Sequence, residues 1–205
     1  MKKFVYAVWY TVLAAMLLGG CGTKLDSDSN LVYVDKKGVV TAVHIEQMNQ
    51  DYYDGTELED FVKEAVDAYT EEYGRGSVKV EDFAIEGENA KYTMSYESAE
   101  HYANFNGIEI FAGTVVDSLA AGYVYEGSFV KVENGSKTET ATKQDIYAEK
   151  DLNVIIIREN TEIKVPGTIC YVSSEYTELT GADSVVICGS GDSVQTDECI
   201  YIVYK

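Results

Sequence analysis

Thr56-Glu57-Leu58-Glu59-Asp60-Phe61-Val62-Lys63-Glu64-Ala65-Val66-Asp67-Ala68-Tyr69-Thr70-Glu71-Glu72-Tyr73 is the stretch on which the fold turns. Leu58, Phe61, Val62, Ala65, Val66, Tyr69 and Tyr73 recur at i, i+3, i+4, i+7, i+8, i+11 and i+15, one face of a helix with 3.6 residues per turn. The opposite face, Glu57, Asp60, Lys63, Glu64, Asp67 and Glu71, is charged and reads as solvated. Thr56 with Glu59 has the form of a capping box, and Gly74 stands at the usual C-terminal stop. The spacing predicts that the apolar face, Phe61 included, is buried against a sheet.

Outward from that helix the period changes to two. Leu31 to Val34 and Val39 to Ile45 flank Asp35-Lys36-Lys37-Gly38 and read as a hairpin. Gln47 to Gly55 reads as a loop. Ser77 to Ile85 and Ala90 to Tyr96 form a second hairpin around Glu86-Gly87-Glu88-Asn89, with Tyr92, Met94 and Tyr96 alternating against Lys91, Thr93 and Ser95. Ser98 to Phe105 reads as a short helix capped by Ser98 and stopped at Asn106-Gly107, and Ile108 to Val116 returns to strand. Beyond a seam at Ala120 to Gly127 come Phe129 to Glu133, the Asn134-Gly135 turn, Lys137 to Ala141, Asn153 to Arg158, Thr161 to Val165, Thr168 to Ser173, Ser184 to Cys188 and Ile200 to Tyr204. Gln144 to Glu149 reads as a single helical turn. The expected fold class is α+β, an antiparallel sheet covered by one long helix and followed by a β-rich C-terminal part. Residues 31–112 form the α+β domain, and residues 113–205 are a β-rich domain or the second half of the same one.

The N-terminus carries an address. Lys2 and Lys3 precede an apolar run from Phe4 to Leu18 that ends in Gly19 and Gly20, the pattern of a signal peptide over residues 1–20. Leu18-Gly19-Gly20-Cys21 resembles the lipobox of bacterial lipoproteins, which implies a diacylglyceryl group on the Cys21 thiol and cleavage in front of it. Two acyl chains are what stable anchoring requires. Residues 21–30 are polar and read as a tether. Within them Asp26-Ser27-Asp28-Ser29-Asn30 opens like a calcium loop, but Leu31 and Lys37 stand where that loop needs Gly and Glu. The stretches Phe105-Asn106-Gly107-Ile108-Glu109-Ile110-Phe111-Ala112-Gly113-Thr114-Val115 and Val165-Pro166-Gly167-Thr168-Ile169-Cys170-Tyr171-Val172-Ser173 are similar to uncharacterised lipoproteins of Gram-positive gut bacteria. That resemblance implies a membrane-anchored, extracytoplasmic protein and assigns no catalytic residue.

The formal charge is −19, and loss of Lys2 and Lys3 leaves −21, with Arg75 and Arg158 the only arginines. Phosphate backbones need clustered Lys and Arg, so nucleic acid is excluded as a partner. Anionic headgroups are repelled as well, which leaves the lipid chains as the membrane contact. With Cys21 lipidated, Cys170, Cys188 and Cys199 are an odd number without Cys-x-x-Cys spacing. They read as small strand residues or as one disulfide and a free thiol.

No complete catalytic motif stands out. Gly189-Ser190-Gly191-Asp192-Ser193 approaches the sequence around a chymotrypsin-like nucleophile, yet Val194 replaces the final glycine. A triad would have to draw on His44 or His101. Cys170, His101 and Arg158 supply the residue types of a sortase-like transpeptidase without its signature, and Glu97, Glu100 and His101 offer three metal ligands without a fourth. No cofactor is implied. Seventeen tyrosines are the compositional excess; Tyr92, Tyr96, Tyr102, Tyr123, Tyr125, Tyr171, Tyr176, Tyr201 and Tyr204 sit on or beside strands, where a ring covers apolar neighbours or lines a sugar or peptide site. The expected function is a lipid-anchored binding or structural module of the cell envelope with a cell-wall, glycan or peptide ligand. The alternative is an envelope hydrolase built on paired carboxylates.

Overall fold

The structure is a computed structural model that describes residues 25, 27–50, 52–189 and 195–205. The lipobox with Cys21, and Ser190 to Val194, lie outside the described residues. The described chain holds mixed α and β structure in two sheets, both mainly antiparallel, with four helices.

The first hairpin joins β1 (Leu31–Val34) to β2 (Val40–Gln47). Its turn is held by Asp35, whose Oδ1 accepts from the backbone N–H of Lys37 at 2.7 Å and of Val39 at 3.0 Å. The long helix follows as α1 (Gly55–Tyr73) and ends at Gly74, whose φ of +101° strains any side chain. Its N-cap is Asp54, not Thr56: Asp54 Oδ1 accepts from the N–H of Thr56 at 2.7 Å and of Glu57 at 3.4 Å. A carboxylate there satisfies two orphan donors and complements the helix dipole.

The expected burial of the whole apolar face needs a second correction. Val62 is buried, Leu58, Val66 and Tyr69 pack half-buried on the core, but Phe61 is 68% exposed. The helix lies against β3 (Val78–Glu86), which is the edge strand of its sheet. A single edge strand covers a narrow stripe of a helix about 10 Å wide, and Phe61 sits about 100° round from Val62, beyond that stripe.

β3 pairs with β4 (Asn89–Tyr96) through a turn of Gly87 and Glu88 alone, because Glu86 and Asn89, expected in the turn, pair with one another. Gly87 takes φ +63° there. Next, α2 (Ala99–Asn106) starts at Ser98, whose Oγ accepts from the His101 N–H at 3.3 Å, and stops at Gly107. β5 (Ile110–Thr114) is shorter than expected because Thr114 and Asp117 form a capping box that starts α3 (Val115–Ala120): the Asp117 N–H donates to Thr114 Oγ1, and the Thr114 N–H to Asp117 Oδ2.

The C-terminal elements are β6 (Phe129–Glu133), β7 (Ser136–Ala141), α4 (Lys143–Ala148), β8 (Asn153–Ile157), β9 (Glu162–Lys164), β10 (Ile169–Ser173), β11 (Thr177–Leu179), β12 (Ser184–Ile187) and β13 (Ile200–Tyr204). Of these, β11 has no counterpart in the sequence reading; three residues are too few to show a period. One sheet runs β11-β12-β9-β1-β2-β4-β3 and the other β5-β8-β13-β10-β6-β7. The first is not wholly antiparallel, since β1 pairs in parallel with β9. A boundary between residues 112 and 113 falls inside β5, and the first sheet draws strands from both sides of it.

Two cores result. In the larger, Val32, Val34, Ala42, Met94 and Ile163 of the first sheet meet Ile155, Ile157, Ile200 and Ile202 of the second. The smaller lies on the second sheet's other face, where Val154, Ile156, Tyr201 and Val203 meet Val115 of α3 and Ile146 of α4. β8 and β13 are therefore buried on both faces. That is why they read as unbroken apolar runs and not as alternating ones.

Candidate functional site

The chain enters the first sheet at the head of β1. Asn30 Oδ1 accepts from the Ile45 N–H at 2.7 Å, and the Asn30 carbonyl accepts from the Glu162 N–H at 3.1 Å, so residue 30 is pinned between β2 and β9. From there β2 runs on past Val43, the partner of Leu31, to Gln47, which pairs with Asn89. The end of the sheet at which β1 begins is thus the β3–β4 turn, the loop before α1 and the first turn of α1.

That end carries exposed apolar groups. Tyr52 is 76% exposed and Tyr53 47%, with ring centroids 4.7 Å apart, edge to face. Asp54 and Gly55 follow, and the Ile85 side chain lies so close over Gly55 that a Cβ there would come within 2.6 Å of it. Ile85 is itself 49% exposed. Phe61 lies about 9 Å further along the helix axis. The sequence reading placed Tyr52 and Tyr53 in a loop and gave them no role, although two adjacent rings in a polar segment were the available signal.

A separate cleft of about 420 Å³ opens beside the first hairpin. Asp35, Lys36, Gly113, Asn153, Pro166 and Tyr204 are among its lining residues. The segments Phe105 to Val115 and Val165 to Ser173 meet here, through Ala112 and Gly113 from one and Pro166 from the other. Asp35 is committed to the hairpin turn. The cleft can take a small polar molecule; its one acidic side chain has no histidine or cysteine beside it.

The residues weighed for catalysis stand apart. Cys170 lies against the Thr168 carbonyl, His101 Nδ1 is 3.1 Å from the Tyr69 hydroxyl, and Arg158 meets Glu109 at 3.6 Å and the carbonyls of Thr196 and Asp197. His44 stacks on Tyr92 at 4.9 Å, which stacks in turn on Phe83. Burial holds its imidazole at about 4, far below the ordinary value, and among the described residues its Nε2 has no partner. Cys170, Cys188 and Cys199 are free thiols, and burial pushes those of Cys170 and Cys199 up. Among the described residues no three of His, Cys, Asp and Glu are grouped to hold a metal, Glu97, Glu100 and His101 included.

Among the described residues Glu159 is the one buried acid. The Tyr102 hydroxyl donates to its Oε2 at 2.6 Å, and burial raises the carboxyl above its ordinary range. Tyr102, Tyr96, Tyr125, Tyr201 and Tyr204 are buried, Tyr92, Tyr123 and Tyr171 half-buried, and Tyr176 is the exposed member of the nine. The tyrosine excess serves chiefly to fill cores.

No protein-family model matches the chain, and no curated protein or solved structure does.

Proposed function

We propose that the chain is a non-catalytic binding module of the bacterial cell envelope, held at the extracytoplasmic face of the membrane by a diacylglyceryl group on Cys21. Its ligand is a wall, glycan or peptide component. The observation that carries this reading is the exposure of Tyr52, Tyr53 and Ile85 at the end of the sheet where the tether enters, with Phe61 exposed about 9 Å further along α1. Large apolar side chains left in water mark interaction sites, because each Å² so exposed forgoes about 25 cal/mol. In this reading α1 covers the β4–β3 end of its sheet with one flank and offers the other to the ligand. The ten residues from Cys21 to Leu31 reach at most about 35 Å, so this end of the sheet lies within that reach of the membrane.

Two measurements test it. Cys21→Ala, expressed in a bacterial host with a labelled fatty acid, should lose both label and membrane retention; mature protein retained without label would remove the anchor. Envelope extract passed over the immobilised full chain should leave an intact ligand bound. Release of a cleaved wall or glycan product would overturn the binding-module reading in favour of a hydrolase.

A further inference from the structure

The segment in front of β1 is docked on the fold, and we infer that it decides which side of the molecule rests on the membrane: the side around Pro166, where Lys36, Lys37, Lys164 and Lys205 meet anionic lipid headgroups. This deepens the binding-module reading and rests on its anchor at Cys21. Asn30 is held between β2 and β9, and the Ser29 hydroxyl donates to Glu162 Oε2 at 3.3 Å. Ser27 Oγ accepts from the Ser29 N–H at 3.2 Å and donates to the Ser29 carbonyl at 2.8 Å, so the chain bends just before it enters β1. Beyond that bend Leu25 lies in a second cleft, of about 510 Å³, which Tyr33, Lys164, Val165, Pro166 and Asp183 also line. Leu31 pairs with Glu162 and Tyr33 with Lys164, so Leu25 sits beside the far end of β1 and the segment runs back along the strand it precedes. Val32 and Ile163 face the larger core, which leaves the alternate residues Tyr33 and Lys164 on the outer face of the sheet. Cys21 precedes Leu25 by four residues, at most about 14 Å of chain. The acyl chains therefore leave from this side of the fold and not from the head of β1.

The distribution of charge agrees. Pro166 lines both this cleft and the one beside the first hairpin, so the two adjoin. Lys36 and Lys205 line one and Lys164 the other, and Lys37 follows Lys36 in the exposed turn. Lys205 is also bonded to Thr168 through both backbone groups. The two aspartates lining the clefts are engaged, Asp35 by the hairpin N–H groups and Asp183 by Lys164 at 3.4 Å. At the end where β1 begins stand Asp54, Glu57, Glu86 and Glu88 instead. A net charge of −19 alone predicts repulsion of the whole body. The field of a headgroup layer decays within about 10 Å, however, so it acts on the side that the anchor brings close, and that side is the basic one. A second copy of the chain, laid on this side by the same surface, would set lysines against lysines.

The test is a lysine acetylation footprint, measured by mass spectrometry, of the lipidated full chain in non-ionic detergent and on vesicles of phosphatidylglycerol and phosphatidylcholine. Lys36, Lys37 and Lys205 should lose about half their reactivity or more on the vesicles, while Lys63 on α1 and Lys91 on β4 keep theirs. Leu25 belongs to neither core, so Leu25→Ser should leave the melting curve unchanged and yet abolish the difference between the two sets of lysines. Lys36→Gln with Lys37→Gln should weaken the protection of Lys205. Protection centred on Lys63 or Lys91, equal reactivity in detergent and on vesicles, or a footprint unchanged in Leu25→Ser would overturn the inference, as would protection just as strong on phosphatidylcholine alone. Protection that appears in detergent as protein concentration rises would overturn it in favour of a second copy. Failure of the anchor itself is seen separately, as a wild-type chain without acyl label.

Discussion

At the residue scale, two buried ionisable groups pull stability in opposite directions with pH. His44 is held neutral to about 4 by burial, against an ordinary value of 6.5. Below 6.5 the unfolded chain takes a proton that the folded chain refuses, so stability falls as pH drops through that window. The full loss is about 3 kcal/mol, at about 1.4 kcal/mol per unit. Denaturation of wild type and His44→Gln at pH 7, 5.5 and 4 should show the difference between them shrinking or reversing toward acid; a difference independent of pH would refute it. Glu159 works the other way. Its raised carboxyl favours the folded state at low pH and loses that contribution as pH rises through its folded value. Glu159→Gln keeps an acceptor for the Tyr102 hydroxyl and removes the buried charge, so it should stabilise the protein at pH 7 and cease to do so in acid. Tyr102→Phe instead leaves Glu159 without its donor and should cost about 1–3 kcal/mol at pH 7 by chemical denaturation.

At the element scale, α1 is defined by its ends and by how little of it is covered. Asp54→Ala removes the acceptor for two backbone N–H groups and should destabilise by about 1 kcal/mol, whereas Thr56→Ala should be nearly silent. The sequence alone would assign Phe61→Ala a large core penalty. With Phe61 in solvent, that substitution should change stability by no more than about 0.5 kcal/mol, while Val62→Ala one position on costs about 2 kcal/mol. Urea midpoints of the two variants decide between the readings. The short helices carried a readable signal: Thr114 and Asp117 stand three apart, as do Thr142 and Asp145, and Asp145 Oδ2 accepts from the Thr142 N–H at 2.8 Å. The sequence reading expects α4 as the turn Gln144 to Glu149, but it passes over α3 in favour of a strand running to Val116.

At the scale of the whole molecule, the second sheet is the shared wall of both cores. Ile155 faces the larger core and Ile156 the smaller, so Ile155→Ala and Ile156→Ala should each cost about 2–5 kcal/mol in the same cooperative transition. If the two variants melt in separate steps, the cores are not one folding unit. The net charge is −19, and among the described residues the ion pairs at Lys63, Lys131, Arg158 and Lys164 are exposed and weak at best, so added salt should raise the thermal midpoint by screening self-repulsion. A midpoint that falls with moderate salt would indicate that local pairs such as Arg158 with Glu109 dominate.

The sequence by itself determined the local elements: both N-terminal hairpins, the long helix with its stop at Gly74, the Ser98 cap and most C-terminal strands were legible because turn residues and apolar period act over a few neighbours. It also determined the acidic character. Tertiary structure alone decided that Phe61 is exposed, that β1 lies parallel to β9, and that Ile85 comes to lie over Gly55 beside the exposed Tyr52 and Tyr53. A helix face does not record how wide its partner is. Strand order depends on contacts between residues more than a hundred positions apart, such as Leu31 with Glu162, and those are settled by packing, where no local period can reach.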